Sequence, residues 1–164
     1  MKFMFISNGM MKGLHPHPAS LLENADKVAS MFNDPHEQVR ALALEVMFHL
    51  HVFHPAKVAE YAESIAARID DSDVMVRAFA VKALDDLLEP LVKQRYADKV
   101  AAKLNDPNET VRDVAVDMIG KLDPATMAKY ADSLAERLED SALRLRLSAL
   151  RVRQATKNAP LLAP

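Results

Sequence analysis

The 164-residue chain has no cysteine, no tryptophan and only three glycines, and aromatic residues fill 5% of its positions. Without cysteine there is no disulfide, no thiolate metal site and no thiol nucleophile, a composition that fits a reducing compartment. Glycine stands only at positions 9, 13 and 120. Neither a phosphate-cradling loop nor a dinucleotide fingerprint can be written from so few, and no Ser sits in a nucleophile elbow. Long apolar runs are missing as well. Phe3-Met4-Phe5-Ile6 is too short for the apolar core of a signal peptide, and no stretch approaches a membrane span. The expected location is therefore cytoplasmic. The formal net charge is -2, so no global field draws the molecule to nucleic acid or anionic lipid.

What the chain does have is a pattern written four times: Asp34 and Val39-Arg40, Asp71 and Val76-Arg77, Asp106 and Val111-Arg112, Asp140 and Leu145-Arg146. Each Asp lies six residues before its Arg. Sixteen residues before each Arg stand Asn24, Tyr61, Tyr96 and Tyr130, followed by Ala25-Asp26, Ala62-Glu63, Ala97-Asp98 and Ala131-Asp132. Repetition at 34 to 37 residues without a slip of register is the mark of stacked supersecondary units.

Each unit opens with a proline, at Pro18, Pro55, Pro90 or Pro124, which suits the first turn of a helix because its missing N–H has no partner there anyway. Apolar residues then recur at helical spacing, as in Ala62, Ile65, Ala66 and Ile69. Turn residues follow (Asn33-Asp34-Pro35, Asp70-Asp71-Ser72, Asn105-Asp106-Pro107, Glu139-Asp140-Ser141). A second helix carries Val39, Ala43, Leu44, Met47 and Leu50 on one face, with the same offsets in the next two units. The fold expected is an all-α superhelix, or solenoid, of about four antiparallel helix pairs. Its units are about 17–53, 54–88, 89–122 and 123–157, after an N-terminal segment 1–16 acting as an improvised cap and before a C-terminal tail 158–164. Arg153 and Thr156 replace core residues in the last unit, as a terminal cap requires.

The opening proline, the Asp-Pro or Asp-Ser turn and the Val-Arg pair early in the second helix make the chain resemble HEAT-repeat proteins over residues 17 to about 157. The resemblance implies a helical scaffold for protein partners. It also implies that Asp34, Asp71, Asp106 and Asp140 pair along the stack with Arg40, Arg77, Arg112 and Arg146 as a structural ladder. Some HEAT-like enzymes hold a di-iron site through several His-Glu pairs, whereas only His36-Glu37 occurs here. The expectation is a non-catalytic protein with no metal and no cofactor; a metal-dependent HEAT-like enzyme is the weakest alternative.

Outward positions of the second helices are the place for partner choice, because they vary while the core positions repeat. Counting two before each ladder Arg and one, five and nine after it gives the candidate contacts Met75, Ala78, Lys82, Asp113, Asp117, Arg144, Leu147 and Arg151. They suit a partner helix or peptide. The other reading is nucleic-acid binding through the basic cluster Arg137, Arg144, Arg146, Arg151, Arg153 and Lys157. Missing aromatic stacking residues and a ladder role for Arg146 count against it. A monomer, or weak self-association through the ends of the array, is expected.

Overall fold

The computed structural model describes residues 18–140 together with Arg146, Leu150 and Gln154. The expected caps at residues 1–16 and at Arg153 and Thr156 lie outside the described residues, as does the tail 158–164. In chain order the elements are α1 (Pro18–Glu23), α2 (Ala25–Ser30), α3 (Glu37–Phe53), α4 (Pro55–Ala59), α5 (Ala62–Ala66), α6 (Val74–Leu87), α7 (Pro90–Gln94), α8 (Ala97–Ala102), α9 (Glu109–Ile119), α10 (Pro124–Ala128) and α11 (Ala131–Glu136). No strand occurs among the described residues. The protein is an all-α helical-repeat solenoid in which the same succession recurs: two short helices, a 3-10 turn, an extended Asp and a long helix.

Where the sequence suggests one first helix per unit, the structure has two. At Asn24, Tyr61, Tyr96 and Tyr130 the backbone leaves the helical region, with φ between -95° and -109° and ψ between 2° and 14°. A three-residue bond closes the preceding short helix in three units, for example Tyr61 N–H to the Val58 carbonyl at 3.0 Å. The repeated position sixteen residues before the Arg is thus a notch, and the short helix on its far side starts on a new axis.

The turn into each long helix is set by one residue. Asp34, Asp71, Asp106 and Asp140 are all extended, with φ near -60° and ψ from 140° to 148°. Each of the first three accepts the backbone N–H two residues on, from His36 at 2.9 Å, Asp73 at 3.0 Å and Asn108 at 2.9 Å. These Asp side chains therefore copy a backbone turn. Asp73 also caps α6 by accepting from Met75 and Val76, and Asn108 caps α9 by accepting from Thr110, each cap contributing about 1 kcal/mol. His36, at the same place before α3, makes no side-chain cap.

The long helices α3, α6 and α9 pack side by side, and the short helices lie against them. Ala80, Val81 and Leu84 of α6 and Ala115, Val116 and Ile119 of α9 are fully enclosed. They meet Ile65 and Ile69 of the second unit and Val100 and Leu104 of the third. Alanine at Ala43, Ala80 and Ala115 lets the helices approach, and larger neighbours fill the grooves. One core cluster runs from Leu21 to Leu134, so each layer completes the burial of the one before.

Candidate interaction surface

A helix turns about 100° per residue, so the phase of every long-helix position can be counted from its ladder Arg. Positions two before it and two, five and nine after it fall within about 40° of one direction. These are Gln38, Leu42, Glu45 and His49 on α3; Met75, Phe79, Lys82 and Asp86 on α6; and Thr110, Val114 and Asp117 on α9, with Lys121 two residues past its end. Gln38, His49, Asp86, Thr110 and Lys121 are exposed, and Glu45, Phe79, Lys82 and Asp117 are half-buried. Leu42 at 37% and Met75 at 38% are the large apolar side chains this stripe leaves in the open, with Phe79 between layers and Val114 covered.

Ala78 and Asp113, counted among the outward contacts from sequence, are buried at 7% and 6% exposure. The row one after the Arg is turned about 60° from the outward direction, which carries it against the following layer. Met75, Lys82 and Asp117 keep their place at the surface. Arg144, Leu147 and Arg151 lie outside the described residues. Leu42 and Phe79 were missed, although their spacing from Gln38 and Met75, four residues, is the ordinary signal of a shared helix face. Lys82 pairs with Asp86 one turn on within α6.

Behind the stripe, each arginine ties two layers together. Arg40 donates from Nε at 2.8 Å and Nη2 at 2.6 Å to the two oxygens of Asp71. Arg77 donates likewise to Asp106 at 2.9 and 3.0 Å, and Arg112 to Asp140 at 2.8 and 3.0 Å. The third nitrogen of each turns back to its own unit: Nη1 of Arg40, Arg77 and Arg112 reaches the carbonyls of Asp34, Asp71 and Asp106 at 2.9 to 3.0 Å. Arg146 makes the same backward bond to Asp140 at 2.8 Å. A planar fork with five donors is needed for this double duty, which a lysine cannot reproduce. Burial raises the pKa of Asp71, but the bonds from Arg40 and the Asp73 N–H outweigh it and leave the carboxyl below its ordinary range. Asp106 is held down in the same way by Arg77 and the Asn108 N–H.

A second set of rungs joins the short helices. Tyr61 donates its hydroxyl to Asp26 at 2.5 Å, Tyr96 to Glu63 at 3.1 Å and Tyr130 to Asp98 at 2.7 Å. The tyrosine at each of the last three notches thus reaches the acidic residue of the preceding unit. Burial, then the carboxylate at its hydroxyl, pushes the Tyr130 phenol up to about 12. Tyr61 and Tyr96 are raised for the same reasons in the same order. Both residue types repeat in the sequence; what it does not give is that they meet across units. Asp85 of α6 was missed altogether. It is buried and takes Lys93 of α7 and Lys121 beyond α9 on opposite oxygens, joining the second unit to the third.

The charged groups on the turn side are largely committed to one another. Arg68 donates to the Phe32 carbonyl at 3.0 Å, Lys103 pairs with Asp70 at 2.7 Å, and Arg137 lies 3.4 Å from Glu136 and 3.6 Å from Asp140. Arg137, a member of the basic cluster, is therefore occupied within the scaffold; Arg144, Arg151, Arg153 and Lys157 lie outside the described residues. No three His, Asp or Glu side chains among the described residues come together as a metal site. No described helix is long and apolar enough to cross a membrane.

The family model described as sister chromatid cohesion protein PDS5 matches residues 29–122. That span runs from α2 through α9 and is more than half of the chain. The chain belongs to the PDS5 family. The match takes in all three long helices and the first two arginine rungs, so the stripe and those two rungs lie within the PDS5 region, while Asp140 of the third rung falls beyond it. A comparison with curated proteins gave no match.

Proposed function

We propose that the chain is a protein-interaction scaffold that binds a partner helix or peptide across α3, α6 and α9. Leu42 and Met75 anchor the contact, while Glu45, Lys82 and Asp117 read its charge. The observation that carries this reading is the exposure of Leu42 and Met75 on a stripe whose flanking rows are buried on α6 and α9 and half-buried on α3. Leu42 and Met75 are already about two-thirds covered, so enclosing the rest against a partner contributes roughly 0.5 to 1 kcal/mol apiece. Charges alternating along the stripe set the partner's register more than its affinity. The family's description makes a protein of sister chromatid cohesion the first partner class to try, and a chromosomal rather than cytoplasmic site of action goes with it. The scaffold itself carries no reaction.

The test is affinity capture from the source cell with the wild-type chain and with a Leu42→Glu, Met75→Glu double variant. Specific partners should be lost from the variant while its helix content and melting temperature hold. The triple reversal of Lys82, Asp117 and Arg151 should weaken the same partners in a salt-dependent manner. Equal recovery by all three proteins refutes the assigned face.

A further inference from the structure

Among the described residues, the first layer lacks the cover that the second and third layers have on their N-terminal side. Val39 and Val46 of α3 are half-buried, whereas their equivalents Val76 and Ala83 of α6 and Val111 and Met118 of α9 are fully enclosed. These positions sit about 80° to 100° round the helix from the outward stripe, on the side that α6 turns to α3 and α9 turns to α6. Val28 repeats the difference: it is half-buried, while Ile65, Val100 and Leu134 are enclosed.

The ladder gives the same face a charge. Asp34 has the backbone conformation of Asp71, Asp106 and Asp140 and accepts the His36 N–H as Asp71 accepts that of Asp73. Its carboxylate is held ready for a guanidinium. Each of the other three receives one from the preceding layer. The ionic partner of Asp34 among the described residues is instead the exposed His36 ring at 3.2 Å, and its own side chain is 30% exposed. The sequence holds no arginine before Arg40, so residues 1–33 cannot complete the rung in kind.

We infer that the N-terminal end face of the array, formed by Asp34, Val39, Val46 and Val28, is a docking site for an arginine-bearing amphipathic α-helix of another protein. That helix stacks on α3 as α3 stacks on α6. Its arginine bonds both Asp34 oxygens, and its small apolar residues cover the valines. The inside of the molecule supplies the template, because two equivalent faces are each seen covered by a helix with a Val-Arg pair. The site is separate from the outward stripe: a partner on the end face lengthens the stack, and a partner on the stripe crosses it.

The probe is an end-capped, fluorescent peptide of residues 73–88, which carries Val76-Arg77, titrated into the full-length chain and followed by anisotropy. Binding is expected, weakened about tenfold by Asp34→Asn in the chain or by Arg77→Lys in the peptide, the scale of one charge-assisted bidentate contact. Asp34→Asn keeps an oxygen for the His36 N–H, so the turn and the circular dichroism melt should stay as they are. Met75→Glu should leave this binding intact, which separates the end face from the stripe. Absence of binding, or affinity indifferent to both substitutions, overturns the inference. Sedimentation of the chain alone that shows a dimer abolished by Asp34→Asn overturns it too, because the face then belongs to a second copy.

Discussion

Replacing Arg77 by alanine should uncouple the second layer from the third. The side chain is 13% exposed and its partner Asp106 is 3% exposed, so the substitution leaves a carboxylate enclosed without its cation. Breaking such a pair costs about 3 to 5 kcal/mol. The lower end applies here, because Asp106 keeps the Asn108 N–H at 2.9 Å and can relax toward water. The bonds from Nη1 to the Asp71 and Ser72 carbonyls at 3.0 and 3.1 Å go as well. A loss of about 3 kcal/mol is a large part of the 5 to 15 kcal/mol typical of a domain. In urea, with a slope of about 1 to 3 kcal/mol/M, it moves the midpoint down by about 1 to 3 M. Because a stacked protein is held by nearest-neighbour interfaces, the transition should also broaden as the two ends melt apart. Circular dichroism during urea titration reads both effects. Two controls bracket the result: Asp34→Asn, which severs no arginine rung, should change stability by less than about 0.5 kcal/mol. Arg77→Met combined with Asp106→Asn, which removes both charges and keeps an oxygen for the Asn108 N–H, should recover part of the loss. An Arg77→Ala protein within about 0.5 kcal/mol of wild type would show that the rung does not hold the layers.

Acid should attack the same rungs. Asp71 and Asp106 titrate near 3.8 when unfolded and lower when folded, so below that value the unfolded chain binds more protons. Their contribution is complete above about pH 4 and is lost as pH falls through the depressed folded values; the Arg77→Met, Asp106→Asn protein should show a shallower acid limb in pH-dependent urea melts. At the other extreme, Tyr130 is raised from 10.0 to about 12, so its contribution is complete below pH 10 and disappears between 10 and 12. Phenolate absorbance should show all three tyrosines ionising above 10, with the Tyr130 step moving earlier in Asp98→Asn, and three tyrosines ionising together near 10 would contradict the rungs. Tyr130→Phe should cost about 1 kcal/mol at neutral pH.

Much of this architecture is written in local spacing. Pro18, Pro55, Pro90 and Pro124 start helices wherever the backbone is free to begin one, and Asp-Pro or Asp-Ser stops them, because both act on their own neighbours in the chain. The six-residue interval from Asp to Arg marks which residues carry the ladder, yet the carboxylate each arginine grips lies 28 to 31 residues away. The tyrosine rungs, 32 to 35 residues long, were equally hidden. Each end repeats faithfully, but no rule of spacing says that a phenol at the notch reaches an acid in the layer before it. The stripe was half legible: Met75, Lys82 and Asp117 follow from helical phase, whereas Ala78 and Asp113 sit one step round, at a flank that only a neighbouring layer closes.

The order of residues by itself determined that this protein is a run of helices broken at fixed intervals, with a buried seam and repeated charges, since those are consequences of backbone sterics, hydrophobic periodicity and turn chemistry acting within a few residues. Tertiary structure alone decided which layer each charge ties and which flank a neighbouring layer shuts. Those outcomes depend on the rotation and distance between helices far apart in the chain, and that geometry exists only once the layers are stacked.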